Sequence, residues 1–167
     1  MFVGEQPGDQ EDRVGEPFVG PSGLLLDAAL EAAGIERSAV YVTNAVKHFR
    51  WERGGKSKRR IHKKPNAMEV RACRPWLEQE IALVKPRVII CLGATAAQSL
   101  LGREFRLTRH RGEPVESKWA DAVFATVHPS AVLRTPDASR ERARRDFFAD
   151  IQRAASYVWG GMGKPTS

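Results

Sequence analysis

The sequence has few cysteines and no long hydrophobic run, and each of these absences excludes a class of protein. It contains two cysteines, Cys73 and Cys91, among 167 residues, which is too few for a disulfide-stabilised secreted scaffold. Its longest strongly apolar run, Val88 to Leu92, is far shorter than the roughly 20 residues that a membrane span needs. The first residues lack the basic and then apolar segments of a secretory signal. We therefore expect a globular cytoplasmic protein with no membrane partner.

Internal repeats are also absent, whereas positive charge is concentrated in one place. The chain carries a net charge of +7. Residues 47–64, called here the basic segment, hold nine Lys or Arg residues and one acid, Glu52, so this segment alone carries +8 and the remainder is nearly neutral. A concentrated basic surface is typical of proteins that bind a polyanion, most often nucleic acid. A solvated loop has the same composition, so charge alone does not decide between the two.

Strand-like and helix-like patterns alternate along the chain, which predicts an α/β protein. The predicted strands are 1–3, 39–44, 87–92 and 122–127, and the predicted helices are 23–33, 66–84, 94–101 and 137–158. Asn66 followed by Glu69 predicts a capping box at the start of the second helix. Alternating strands and helices favour a three-layer α/β/α fold around a central, mostly parallel four-stranded sheet. We expect one domain, 1–158, followed by a flexible tail, 159–167.

The residues that follow the predicted strands are the candidate site, because open α/β sheets bind ligands at the carboxyl ends of their strands. These residues comprise two carboxylates, two amides and a histidine, namely Glu5, Asp9, Gln6, Asn44 and His128. The basic segment begins three residues after the second strand, so it belongs to the same edge. This convergence indicates a site more strongly than any one residue does.

Asn44, Phe18 and His128 each have an ordinary structural interpretation beside a functional one. A lone Asn at a strand end usually caps a loop, yet its donors and acceptor also match the edge of a pyrimidine. His128 at a strand end is more often a hydrogen-bonded structural residue. Phe18 lies in a loop rich in Gly and Pro, where a planar base can stack on it. Taken singly, the structural interpretation is the commoner one for each residue.

Six segments, taken together and in order, resemble the motifs of the family 4 uracil-DNA glycosylases. They are GEQPGDQED, PFVGPSGLLLD, VYVTNAVKHF, ACRPWL, CLGATAA and TVHPS, and the resemblance extends from residue 1 to about residue 155. The insert KRRIH at residues 58–62, together with Gln6, resembles the UdgX subgroup, which cross-links itself to uracil-containing DNA. The resemblance implies a uracil-DNA glycosylase-like domain and a single-turnover DNA repair enzyme.

The same resemblance implies roles for individual residues. The nucleophile that bonds to C1′ of the deoxyribose is His62, and the other implied catalytic residues are Glu5, Gln6, Asp9 and His128. The implied uracil-binding residues are Asn44, Phe18, Gln6 and His128. The implied DNA-binding residues are Lys47, Arg59, Arg60, Lys63 and the wedge Leu133.

The resemblance also implies a [4Fe-4S] cluster, which this family holds on four cysteines. Cys73 and Cys91 match the second pair, but the upstream C-x-x-C segment that supplies the first pair is missing from this sequence. We therefore expect the cluster to be absent or incomplete here, since two thiolates cannot replace four. The expected partner is uracil-containing DNA, preferably single-stranded, bound by a monomer. Two alternatives stay open: an ordinary multi-turnover glycosylase and a non-catalytic nucleic-acid-binding module.

Overall fold

The computed structural model describes residues 1–55 and 60–160, in which strands and helices alternate. In chain order they are β1 (Phe2–Gly4), α1 (Asp9–Val14), α2 (Pro21–Ala32), β2 (Val42–Asn44), β3 (Trp51–Arg53), β4 (Arg60–His62), α3 (Ala67–Val84), β5 (Val88–Leu92), α4 (Ala94–Leu101), α5 (Leu107–His110), β6 (Val115–Ser117), β7 (Ala120–Thr126), α6 (Pro129–Arg134) and α7 (Asp137–Gly160). A short 3₁₀ turn at Arg37–Ala39 precedes β2. None of the helices in these ranges is long and apolar enough to cross a membrane.

The main sheet has the strand order β2-β1-β5-β7-β6. Its first four strands are parallel, with Phe2 opposite both Val42 and Ile90, and Ile90 opposite Phe124. The mostly parallel α/β fold is therefore confirmed, but the expectation of four strands is wrong, because β6 adds a fifth strand antiparallel to β7. The strand β6 has three partly exposed residues and no apolar run, so the sequence pattern gave no signal for it.

Alternate residues of β5 supply two hydrophobic cores, one on each face of the sheet. Ile90 packs on the side of Leu26 in α2 and Phe147 in α7. Ile89 packs on the other side with Leu77 in α3 and with α4. This alternation follows from the two-residue period of a strand, and it produces the predicted three layers. The hydrophobic run of β5 thus reflects a strand that is buried on both faces.

Helix α3 begins where the sequence predicts. The side chain of Asn66 accepts a hydrogen bond from the Glu69 backbone N–H at 2.9 Å, and Glu69 accepts one from the Asn66 N–H at 2.7 Å. This reciprocal pair is the predicted capping box. At the other end of the chain, α7 extends to Gly160, and the predicted tail lies outside the described residues from position 161 onward.

Two elements beside the site were not predicted as regular structure. The acidic segment that follows β1 forms α1, whose first turn carries Asp9, Glu11 and Asp12 near the positive end of the helix dipole. Within the basic segment, β3 and β4 form an antiparallel hairpin in which Trp51 faces His62. Both hairpin strands are largely exposed, so their sequence lacks the apolar alternation that marks a half-buried strand.

Candidate functional site

A cavity of about 730 Å³ opens at the carboxyl edge of the parallel strands. Its lining includes residues that directly follow or end these strands, among them Glu5, Asn44, Gly93 and His128. Phe18, Gln6 and His62 also line it, so the structure brings the predicted nucleophile and the predicted base-binding residues around one space. Asp9 lies instead in an adjoining depression with Phe49, Arg60 and His62.

Asn44 lines this cavity, and its side-chain oxygen is buried. Its residue is only 6% exposed, and its Oδ1 has no hydrogen-bond partner among the described residues. A buried acceptor without a donor costs about 1–3 kcal/mol, so such an atom is usually satisfied by a ligand or by water. Gly4 leaves room for this side chain, because a Cβ at position 4 would lie 2.3 Å from Asn44 Oδ1 and 2.7 Å from the Phe18 ring.

Phe18 forms a rigid apolar wall of the cavity. Its ring is buried and stacks on the His128 ring with a centroid separation of 5.8 Å and an interplanar angle of 30°. Its backbone has φ of 56°, a left-handed conformation that costs a non-glycine residue roughly 1–2 kcal/mol. Tight packing on α2 maintains this strain, since a Cβ at Gly23 would lie 1.7 Å from the Phe18 carbonyl oxygen. Strained residues held this way often mark functional sites.

His128 is neutral at physiological pH, with its proton on Nε2, which has no hydrogen-bond partner among the described residues. Burial lowers its pKa from 6.5 to about 4, which outweighs the opposing effect of the nearby Glu5 carboxylate. Its Nδ1 accepts a hydrogen bond from the Ser130 backbone N–H at 3.1 Å. In a neutral imidazole this leaves the proton on Nε2. The residue is therefore a neutral hydrogen-bond donor in the cavity.

The depressed pKa of His128 predicts a loss of stability in mild acid. Between pH 6.5 and about pH 4, the unfolded chain binds a proton at this position and the folded chain does not, so the free energy of unfolding falls as the pH is lowered. The His128 contribution to that fall is about 3 kcal/mol. Urea titrations at pH 7, 5.5 and 4 measure it. The His128→Gln variant should lose less stability over this range than the wild type, and equal losses would contradict the burial of a neutral His128.

Glu5 lies between Thr95 and His62. Thr95 Oγ1 donates a hydrogen bond to Glu5 Oε2 at 2.5 Å, and the other oxygen, Oε1, is 3.7 Å from His62 Nε2. Thr95 thereby fixes which carboxylate oxygen faces the histidine. The 3.7 Å separation is longer than a hydrogen bond, and a small movement of the half-exposed His62 side chain closes it. Glu5 and His62 are thus arranged like the acid and the histidine of catalytic sites in which a carboxylate orients an imidazole ring.

Gln6 anchors the hairpin that carries His62. Its Oε1 accepts from the Arg50 N–H at 3.1 Å, and its Nε2 donates to the carbonyls of Lys63 and Arg50 at 3.0 and 3.3 Å. Arg50 and Lys63 flank the two hairpin strands, and their backbones also bond to each other at 2.9 Å. Both amide hydrogens of Gln6 are thus used in holding the hairpin base. Its role toward uracil stays a prediction.

Arg60 also fastens the hairpin, by ion pairs with both Asp9 and Asp12 of α1. Its guanidinium lies 5.1 Å from the ring centroid of Phe49 and 5.5 Å from that of Trp51. Hydrogen bonds from Arg13 and Arg60 hold the pKa of Asp9 below its ordinary value, so this carboxylate is ionised. Arg60 is 18% exposed, and its charge is directed at α1. Its predicted contact with DNA, and the catalytic role of Asp9, therefore stay predictions.

The other predicted DNA contacts occupy different positions. Lys63 lies on the hairpin in an exposed pair with Glu52, at 2.6 Å. Leu133 is a partly exposed residue of α6, 38% accessible, as a wedge requires. Lys47 pairs with Glu80 of α3, at 2.6 Å. Arg59 lies outside the described residues.

The two cysteines lie in different environments. Cys73 Sγ accepts a hydrogen bond from the Lys47 N–H at 3.4 Å and is 3.8 Å from His48 Nδ1. Cys91 lies within β5, opposite Val3 of β1 and in register with β7, and burial raises the pKa of its thiol to about 12. Cluster ligands are thiolates, so a thiol kept protonated in the core does not fit the predicted ligand set. Within residues 1–55 and 60–160 no group of three His, Cys, Asp or Glu side chains can hold a metal ion.

The sequence did not predict two contacts near the candidate site residues, that of Thr95 with Glu5 and that of His48 with Cys73. Thr95 follows Gly93 at the end of β5 and belongs to the same edge as the other site residues, so its position was the available signal. His48 lies beside Cys73 only because the turn after β2 packs on the start of α3. That contact joins residues 25 positions apart and leaves no local pattern.

Comparison with known proteins identifies the family to which this sequence is similar. Residues 1–152 match the family described as the Uracil DNA glycosylase superfamily. The chain is 37% identical over 159 residues to a Type-4 uracil-DNA glycosylase of Thermotoga maritima, covering 95% of this chain and 77% of the relative. It is 38% identical over 154 residues to the Type-4 uracil-DNA glycosylase of Archaeoglobus fulgidus, covering 88% and 72%. With that of Pyrobaculum aerophilum the identity is 37% over 171 residues, covering 98% and 79%.

Proposed function

The chain belongs to the Uracil DNA glycosylase superfamily, and from this we propose that it excises uracil from DNA and becomes covalently joined to the deoxyribose through His62. One observation carries the proposal: His62 faces the Glu5 carboxylate, at 3.7 Å, beside a cavity that Asn44 also lines, and the buried Oδ1 of Asn44 has no partner among the described residues. The Asn44 oxygen can accept a hydrogen bond from a base that carries an N–H on its edge. His62 supplies a nucleophile near the sugar of the bound nucleotide.

In the proposed complex, Asn44 reads the edge of a flipped-out uracil. Its Oδ1 accepts the N3–H, and its amide group donates to O4. Phe18 stacks on the base, since its ring is held rigidly beside His128. The neutral His128 donates from Nε2 to O2, where negative charge develops as the base departs.

Bond cleavage leaves the electron pair of the C1′–N1 bond on uracil, and the sugar becomes oxocarbenium-like. The Glu5 carboxylate is the closest described acid to His62 and stabilises this positive charge. One ring nitrogen of His62 then gives its lone pair to C1′, and the other ring N–H passes its proton to Glu5 and on to solvent. Uracil takes its proton from solvent. The neutral alkylated imidazole is a poor leaving group, so the adduct persists after a single turnover.

The proposal also covers how the DNA backbone is bound and which form of DNA is the preferred substrate. Lys63 and other residues of that segment attract phosphates, so binding weakens as the salt concentration rises. Single-stranded substrate needs no base pair to be broken before the base enters the cavity. We propose that a monomer acts on single-stranded uracil DNA at least as well as on duplex.

A multi-turnover glycosylase is the second candidate, because the matching relatives are named Type-4 uracil-DNA glycosylases. Released uracil, measured by mass spectrometry with excess oligonucleotide, separates the two. A covalent reaction releases about one uracil for each protein molecule and then stops, whereas hydrolysis continues. An oligonucleotide with thymine in place of uracil is the control. If folded protein releases no uracil from the uracil-containing oligonucleotide, both candidates are rejected.

Filling the space at Gly4 should disable the cavity. The Gly4→Ala side chain would overlap Asn44 and Phe18 at 2.3 and 2.7 Å, so both base-binding groups must move. We expect a fall of about 100-fold in the rate of reaction with uracil DNA, the effect typical of a 1 Å displacement of binding groups. The matched control is Gly34→Ala, which strains a glycine at φ of 68° with no atom nearby. The control should lose stability while reacting at a normal rate, and an unaffected Gly4→Ala would contradict the assignment of this cavity.

A further inference from the structure

Lys47 makes its hydrogen bonds at the strand end that carries Asn44. Its ammonium donates to the Asn44 carbonyl at 2.8 Å, to Thr43 Oγ1 at 2.8 Å and to Glu80 at 2.6 Å. These three bonds use all three hydrogens of the ammonium. The residue therefore has a defined position in the fold, unlike a solvated lysine of a phosphate-binding surface.

The Asn44 carbonyl needs a partner because β2 is an edge strand. Hydrogen bonds to β1 come from alternate residues along this segment: Tyr41, just before β2, accepts from Phe2, and Ala45, just after β2, donates to Gly4, both at 2.8 Å. Asn44 lies out of phase with these bonds, so its carbonyl faces the open edge of the sheet. Lys47 satisfies that carbonyl from the edge.

Glu80 in turn holds Lys47. Its carboxylate accepts from Thr43 Oγ1 at 3.0 and 3.2 Å and pairs with Lys47, and the lysine and glutamate side chains are 26% and 24% exposed. Tyr41 lies close enough that burial and the Glu80 charge raise the pKa of its phenol. Glu80 thus joins α3 to three neighbouring residues of the β2 segment.

We propose that Lys47 and Glu80 are positioning residues, which fix the end of β2 so that the Asn44 amide is presented to the uracil edge. This inference rests on the proposed function, since it gives Asn44 the base-reading role. The Lys47 ammonium has all three hydrogens bonded and its side chain is only 26% exposed, so we expect it to contribute little to phosphate attraction, in contrast to the more exposed Lys63. Loss of the pair lets the strand end move and misplaces the amide, whereas the sheet and α3 keep their hydrophobic contacts.

A double-mutant cycle on the single-turnover rate tests whether Lys47 acts through Asn44. Lys47→Met alone should slow the reaction with uracil DNA by about 10- to 100-fold. In the Asn44→Ala background the same change should alter the rate by no more than about twofold, because the side-chain amide that Lys47 positions has been removed. Glu80→Gln keeps a hydrogen-bond acceptor and should have a smaller effect than Lys47→Met.

The salt dependence of binding to thymine DNA separates positioning from phosphate contact. Lys47→Met should leave the slope of log affinity against log salt unchanged, whereas Lys63→Met should reduce it by nearly one. A reduced slope for Lys47→Met, or equal rate effects in both backgrounds of the cycle, would overturn the proposal.

A readout independent of reaction keeps the inference testable if the wild type does not react with uracil. The side-chain amide signals of Asn44, identified in nitrogen-resolved NMR spectra by their loss in Asn44→Ala, should shift or broaden in Lys47→Met. They should not change in Lys118→Met, which alters an exposed lysine beside Trp119. Unchanged Asn44 signals in Lys47→Met would reject the positioning role, whereas an unreactive wild type would reject only the proposed function.

Discussion

Replacing His62 with alanine is expected to abolish the covalent product and to convert the protein into one that releases uracil and leaves an abasic site. Departure of the base depends mainly on stabilisation of the leaving group and of the oxocarbenium ion. Asn44, His128 and Glu5 supply these effects and are unchanged in the variant. Removing the imidazole also opens space beside C1′ that water can occupy. A denaturing gel with and without hot alkali shows a shifted band for the wild type and a cleaved strand for His62→Ala.

Two further variants sharpen this result. His62→Ser should behave like His62→Ala, with a hydroxyl that can position water. Glu5→Gln should weaken the cross-link but retain DNA binding, because a neutral amide stabilises a developing imidazolium less well than a carboxylate. A persistent cross-link in His62→Ala would mean that another residue is the nucleophile. Binding without cross-link or cleavage would mean that His62 is required for departure of the base.

Replacing Asn44 with alanine is expected to cost about 100- to 1000-fold in the rate of reaction with uracil, the range seen when a preorganised polar group of an active site is removed. Its buried Oδ1 has no partner among the described residues, so its specific contribution arises when a base is bound. Binding of single-stranded DNA should change little, because phosphate contacts supply most of that affinity. Reaction rates and salt-matched affinities measure the two effects separately.

Asn66→Ala is the matched control for Asn44→Ala. It removes the cap of α3, which costs about 1 kcal/mol of stability, without altering the cavity. The control should therefore react normally at a temperature where it is folded. Equal losses of reaction and of DNA affinity in Asn44→Ala would remove its assignment as the base reader.

The sequence was sufficient to predict the elements with strong local patterns. The capping box of Asn66 and Glu69, the apolar run of β5 and the helix predicted at 94–101 depend on neighbours within a few residues, and the structure has all three. The strand ends also indicated which residues meet, because parallel strands share one carboxyl edge. Glu5, Asn44 and His128 consequently line one cavity.

Long-range contacts explain what the sequence did not predict. Arg60 belongs to a basic run, yet the structure directs it to Asp9 and Asp12, about 50 positions earlier. Gln6 and Lys47 likewise make contacts that depend on how the hairpin and α3 pack. Cys91 matched a metal-ligand motif, but strand pairing places it in the hydrophobic core. Each side chain has several chemically reasonable partners, and only the fold selects among them.

The mass of the denatured complex tests the central claim most directly. The protein is incubated with a short single-stranded oligonucleotide containing one uracil, unfolded, and analysed by intact mass spectrometry and then by peptide mapping. We expect a species whose mass is that of the protein plus the oligonucleotide less one uracil, with the attachment at His62 and none formed with thymine DNA. Free protein beside an oligonucleotide that has lost uracil, or an attachment at another residue, would contradict the covalent role of His62.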